Sequence, residues 1–88
     1  MPSKAYKLLQ KMRRSQHGWK VNDLIMLYTG YGFTIKQGSN HVIVKHPNFP
    51  YFRETITRSS SELSPAYIRD AISNIESLGL GETEDSNG

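Results

Sequence analysis

The chain contains no cysteine. That excludes disulfide bridges, thiolate nucleophiles and sulfur-ligated zinc together, and it suits a reducing compartment. Nor is there any run of about 18 apolar residues, the length a membrane-spanning helix needs. The opening Met1-Pro2-Ser3-Lys4-Ala5-Tyr6-Lys7 lacks the apolar stretch of a signal peptide. The expectation is therefore a cytoplasmic protein with no membrane partner. Acidic residues are scarce over most of the sequence: residues 1–58 carry ten Lys and Arg against two acids, Asp23 and Glu54, a net +8. Residues 59–88 reverse this, with one base, Arg69, against six acids, a net −5. The basic portion suits a polyanion, because Lys and Arg that neutralise phosphates release counterions and drive binding without reading sequence.

What is present fits one domain with one modest core, since 88 residues are too few for two. That domain is expected over residues 1–80. Residues 81–88 are acidic and small, without an apolar member, and are expected to be a disordered tail. Ser3 is placed to cap a first helix over about residues 4–14, with Ala5, Leu8, Leu9 and Met12 on one stripe and Lys4, Lys7, Lys11 and Arg14 largely off it. Residues 15–19 form a polar connector whose Trp19 anchors back into the core. A second helix follows over about residues 23–29, with Asn22 as cap and Gly30 as stop.

From Gly32 onward the apolar period changes from helical to alternating. Strands are expected over residues 33–36, 41–45 and about 53–58, the first two joined by a turn at Gln37-Gly38-Ser39-Asn40. His46-Pro47-Asn48-Phe49-Pro50 reads as a longer loop in which two prolines stop the ladder. A last helix is clearly punctuated: Ser64 caps it, Pro65 opens it, Ile68, Ala71, Ile72, Ile75 and Leu78 form its stripe, and Gly79 ends it. The order α-α-β-β-β-α supplies no parallel crossover, so the expected class is α+β, with a three-stranded antiparallel sheet covered by helices on one face. Strand alternation sends Phe33, Ile35, Val42, Val44 and Ile56 to the covered side. Thr34, Lys36, His41, Ile43, Lys45, Arg53, Thr55 and Thr57 fall on the open side, a surface suited to an anionic partner.

Other chemistries find little support. Three isolated histidines and no close carboxylate cluster give no metal site at recognised ligand spacing. The glycines at positions 30, 32 and 38 are scattered turn formers and cradle no phosphate. Ser59-Ser60-Ser61 stands in a loop ahead of a helix cap. Tyr6, Trp19, Tyr28, Tyr31, Tyr51 and Phe52 have rings able to stack on bases, although aromatics borne by helices usually belong to a core.

Several segments in order resemble the HicA-like mRNA interferases, the toxin half of a toxin–antitoxin pair. They are Gly32-Phe33, Gly38-Ser39-Asn40-His41, His46-Pro47, the extended Glu54-Thr55-Ile56-Thr57-Arg58, and Glu62-Leu63 leading into the last helix. The likeness covers roughly residues 24–80. It implies a fold similar to double-stranded-RNA-binding domains, cleavage of mRNA without metal or other cofactor, and a protein partner similar to the HicB antitoxins. The family's histidine follows a Gly-Ser or Gly-Ser-Asn turn, which assigns the catalytic role to His41. Two departures are visible: Arg58 is followed by Ser59 where the family often has histidine, and the helix over residues 4–14 is additional.

Metal-free RNA cleavage requires removing the ribose 2′-hydroxyl proton, stabilising charge on phosphorus and protonating the leaving oxygen. An imidazole suits the proton steps because its ordinary pKa, about 6.5, populates both forms near neutrality. His41 is thus expected to be the general acid or base, with Lys36, Lys45 and Arg53 as an electrostatic clamp. Ser39, Asn40 and Arg58 complete the expected RNA contacts. The plain alternative for His41 is a strand-edge histidine bonded to a neighbouring carbonyl, which residue physics alone favours and the likeness disfavours. His46 is expected to fix a strand exit, with a secondary catalytic role as the lesser alternative, and His17 to have no role. The rival functions are a non-catalytic RNA-binding module and a protein-interaction domain with a basic face.

Overall fold

The computed structural model describes residues 4–58 and 61–80. The Ser3 cap, Ser59, Ser60 and the 81–88 tail lie outside the described residues. Three helices, α1 (Lys4–Arg14), α2 (Val21–Gly30) and α3 (Pro65–Ser77), accompany three strands, β1 (Thr34–Gln37), β2 (His41–His46) and β3 (Phe49–Thr57). The strands form one antiparallel sheet in the order β1-β2-β3. The fold is α+β with the order α-α-β-β-β-α.

The amphipathic stripe of α1 is realised as read. Ala5, Leu9 and Met12 are buried, and Lys4, Lys7, Lys11 and Arg14 face solvent. α2 departs from expectation at its start. It begins at Val21, and Asn22 is an exposed residue of its first turn instead of its cap. The cap position is Lys20, whose extended backbone directs its N–H to Asp23 Oδ2 at 2.9 Å. Asp23 thereby satisfies an amide the helix leaves open, while the earlier start buries Val21. α3 follows its punctuation: Ser64 Oγ accepts from the Ala66 N–H at 3.4 Å, Pro65 occupies the first turn, and Gly79 adopts φ +77° after the last turn.

Gly30 does not stop α2 by a left-handed turn, since the positive φ at this end belongs to Gly32, at +91°. Gly30 serves instead as the point where α1 crosses α2. A methyl group built on it would overlap the Ala5 methyl and lie 3.4 Å from Ala5 Cα. The core is then a single cluster in which Leu9, Met12, Leu24, Leu27, Val42, Val44, Ile56, Ile68 and Ile75 are fully buried. Phe33 packs edge-to-face on Tyr28 and Phe52, with ring centroids 4.9 and 5.3 Å apart. Connecting segments are pinned to one another, with the Gly18 N–H donating to Glu62 Oε2 at 2.8 Å and the Leu63 N–H to the Trp19 carbonyl at 2.7 Å, and Arg13 of α1 pairs with Glu76 of α3 at 2.6 Å. Trp19 packs partly buried against the core.

The sheet holds two corrections. β1 is shifted by one residue at both ends and β2 runs one residue longer, but β3 begins at Phe49 and not near Arg53. The expected long loop is therefore a tight connection through Pro47 and Asn48, both with negative φ. His46 makes that turn possible: its Nδ1 accepts from the Asn48 N–H at 3.1 Å, so Nε2 carries the proton and donates to the Tyr31 carbonyl at 3.3 Å. The prolines still disturb the ladder. Between the pairs Val44↔Glu54 and His46↔Phe49, β2 advances two residues and β3 five. Pro50 sits within this irregular stretch of an outer strand, where its missing N–H breaks no regular pairing.

Glu54 is on the covered side, opposite Val44. Asn74 of α3 donates to Glu54 Oε1 at 3.4 Å and to Tyr28 Oη at 3.2 Å. Burial pushes the Glu54 carboxyl above its ordinary range; the Asn74 bond opposes this and the nearby Asp70 charge adds to it. Burial likewise pushes the Tyr28 hydroxyl up. Folded Glu54 holds its proton at pH values where the unfolded side chain, near 4.5, has lost it. Between that value and the raised one the folded chain binds more protons, so stability falls as pH rises through this window. Below the window both states are protonated and the loss disappears. Glu54→Gln keeps an acceptor for Asn74 without the charge. The variant is expected to melt a few degrees higher at neutral pH and equal to the parent near pH 4, as thermal melts across that range would measure.

Candidate functional site

The residues singled out by alternation are assembled by the open face of the sheet. Thr34, Lys36, His41, Lys45, Arg53, Thr55 and Thr57 are all exposed, and Ile43 is half-buried. The register sets Lys36 opposite Ile43, Ile43 opposite Thr55, and His41 opposite Thr57. Thr34, Ile35, Lys36, Ile43, Lys45 and Arg53 line a shallow depression of about 330 Å³. No carboxylate belongs to this face among the described residues, because alternation turns Glu54 under the helices. The remaining described acids sit on α2, on α3 or, as Glu62, between β3 and α3. The chain's charge asymmetry is thereby expressed as a cationic surface in space.

His41 opens β2 immediately after the turn, and its ring is exposed with no hydrogen-bond partner among the described residues. Its backbone is firmly held. The Gly38 N–H donates to the His41 carbonyl at 2.8 Å, and the Arg58 N–H donates to the Asn40 carbonyl at 2.9 Å. Arg58 also donates through Nη1 to Gln37 Oε1 at 2.7 Å, so it clasps the β1–β2 turn from the end of β3. Ser39 and Asn40 are exposed at the tip of that turn. Backbone held from both neighbours with a free side chain is an arrangement that fixes where an imidazole stands while leaving its nitrogens for a ligand.

The expected clamp is not one cluster. Lys36 is diagonal to His41 across β1 and β2, at a Cα spacing of about 7–8 Å, close enough for a long side chain to share one phosphate. Lys45 lies four residues further along β2, roughly 13 Å away at ~3.3 Å per residue. It and Arg53 are at the other end of the depression and suit neighbouring phosphates instead. Sequence reading also missed Tyr67. From α3 its hydroxyl donates at 3.4 Å to the Oγ1 of Thr57, the strand residue paired with His41. No periodic signal brings those two together, since the contact joins a helix to a strand end.

The other histidines are elsewhere. His46 is buried, edge-on to Phe33 at 4.7 Å; one ring nitrogen holds the β2–β3 turn through Asn48 and the other bonds the Tyr31 carbonyl between α2 and β1. His17 is exposed in the α1–α2 connector. No group of three or more His, Asp or Glu side chains gathers among the described residues. No described helix is long and apolar enough to cross a membrane.

Fold and face together define a small α+β domain that presents one open, cationic, antiparallel sheet surface carrying an imidazole with no partner among the described residues. No protein-family model matches the chain, and no curated protein or solved structure matches it either.

Proposed function

We propose that this chain is a metal-independent endoribonuclease acting on mRNA, the toxin component of a toxin–antitoxin pair of HicA type, working in the cytoplasm. The carrying observation is His41: an exposed imidazole with no hydrogen-bond partner among the described residues, on a cationic sheet face to which no described carboxylate belongs, at the position where the Gly38-Ser39-Asn40 turn resembles that family's. In this reading His41 moves a proton between the ribose 2′-hydroxyl and the leaving oxygen, and Lys36 stabilises the charge that develops on the phosphate. Lys45 and Arg53 bind phosphates further along the strand, and Ser39, Asn40 and Arg58 frame the turn against which the RNA lies. A HicB-like antitoxin would silence the enzyme by covering this face, and an acidic one would do so with favourable charge.

Purified protein incubated with a defined RNA in excess EDTA is expected to cut it and leave 2′,3′-cyclic phosphate ends. Intact RNA under those conditions, with no growth arrest on expression, would overturn the assignment. One observation favours a second reading, a non-catalytic RNA-binding module: no side chain among the described residues hydrogen-bonds the His41 ring to orient it, as a general base usually requires. Binding without cleavage in the same assay selects that reading.

A further inference from the structure

Tyr51 takes almost no part in packing. It is 79 % exposed, more than any other large apolar side chain among the described residues. It lies in the irregular stretch of β3, where the strand holds three more residues than β2 between two register pairs. Such surplus residues bend a strand and re-aim its side chains. From Tyr51 to Thr57 the exposure alternates without a break, so Tyr51 shares its side with Arg53, which lines the depression together with Lys45 and Lys36. Phe49 braces the ring edge-on, with centroids 6.2 Å apart and planes at 74°. A braced ring turned to solvent, two residues along β3 from the Arg53 that lines a cationic depression, is a poor packing element and a good stacking platform.

We infer that Tyr51 stacks on an unpaired base, and that the RNA this face accepts is single-stranded. The inference rests on the reading of the open face as an RNA surface and adds the kind of RNA. Cations alone would accept any polyanion, duplex included. An exposed aromatic beside them selects for strands whose bases are available, because a duplex keeps its bases within its own stack. Stacking on one aromatic is worth about 1–3 kcal/mol per base, roughly five- to 150-fold in affinity, and it tolerates any base. Arg53 and Lys45 then hold the phosphates flanking the stacked nucleotide. His41 is roughly 13 Å from Lys45 along β2, so the stacked base lies away from the scissile bond. Tyr51 therefore acts on binding and on the choice of site, while the chemistry stays with His41.

The test uses the full chain carrying His41→Ala, to keep the RNA intact, titrated by fluorescence anisotropy at fixed salt. The probes are a labelled 12-nucleotide unstructured RNA and the 12-base-pair duplex of the same sequence. Single strand is expected to bind at least tenfold tighter than duplex. Adding Tyr51→Ala should weaken single-strand binding by about five- to 150-fold and leave duplex binding unchanged, while Tyr51→Phe retains the parent affinity. In the chain with His41 intact, Tyr51→Ala should raise KM and spare kcat. Equal affinity for single strand and duplex, or single-strand affinity untouched by Tyr51→Ala, overturns the inference and leaves RNA as the ligand. Equal losses for both probes also overturn it, since a ring that stacks on an unpaired base contributes to the single strand and not equally to a duplex. Absence of binding to either probe overturns the RNA reading of the face itself.

Discussion

Replacing His41 with alanine is expected to abolish RNA cleavage, lowering kcat by about a hundred- to ten-thousand-fold, the range a positioned proton-transfer group contributes. The same substitution should leave the fold untouched. The ring is exposed and bonds to nothing among the described residues, and exposed substitutions of that kind usually change stability by less than about 0.5 kcal/mol. RNA affinity should also persist, because the lysines and arginines of the open face supply the binding energy. The three measurements together make the result decisive: single-turnover cleavage falls, while the melting temperature and the RNA dissociation constant stay within error. A variant that cleaves like its parent removes His41 from the chemistry. Lys36→Ala provides the complementary case. A residue close enough to share a phosphate with His41 should lower kcat, whereas Lys45→Ala, at the far end of the depression, should mainly raise KM.

Gly30→Ala is expected to be the most damaging conservative change in the helical layer. In an ordinary helix, alanine for glycine gains about 1 kcal/mol of propensity. Here the added methyl meets the Ala5 methyl, which is fixed to the backbone of α1 and has no rotamer to escape into. The helices must separate, and overpacking of this kind costs about 1–3 kcal/mol. Near-rigid contact on both sides places the cost at the upper end, beyond the propensity gain, so the melting temperature should drop by roughly 5–15 °C. Ala5→Gly in the same chain removes the opposing methyl and should restore at least half of the loss, a coupling that a double-mutant cycle isolates. Thermal melts of the two single variants and the double variant check this. A Gly30→Ala chain as stable as the parent would show that α1 and α2 are not in contact at this point. Cleavage at low temperature should be spared, because no residue of the open face lies on either helix.

Much of this architecture was legible before any coordinates. The i, i+4, i+7 stripe of Ala5, Leu9 and Met12 and the cap, proline and glycine around α3 are local signals, and the structure realises them where they were read. Alternation also sorted the strand residues correctly: His41, Lys36, Lys45 and Arg53 reach solvent, and Val42, Val44 and Ile56 are buried. The failures occurred where a local rule met a longer-range partner. Asn22 is a good cap residue by type, but burying Val21 and bonding Asp23 to the Lys20 amide moved the start of α2. Pro50 breaks a strand by rule, but an outer strand with surplus residues accommodates it, so β3 begins four residues early. Gly30 resembled a stop signal and proved to be a point of helix contact.

The sequence by itself determined the class, the faces and the sign of the charge on the open surface. Each follows from side-chain period and composition, which are properties of residues a few positions apart. Only the tertiary structure decided which cation stands near His41, that Asn74 joins Glu54 to Tyr28, and that Tyr51 faces outward beside Arg53. Those relations depend on strand register and on how helices cross. They are set by packing between segments distant in the chain, and no local pattern encodes such distances.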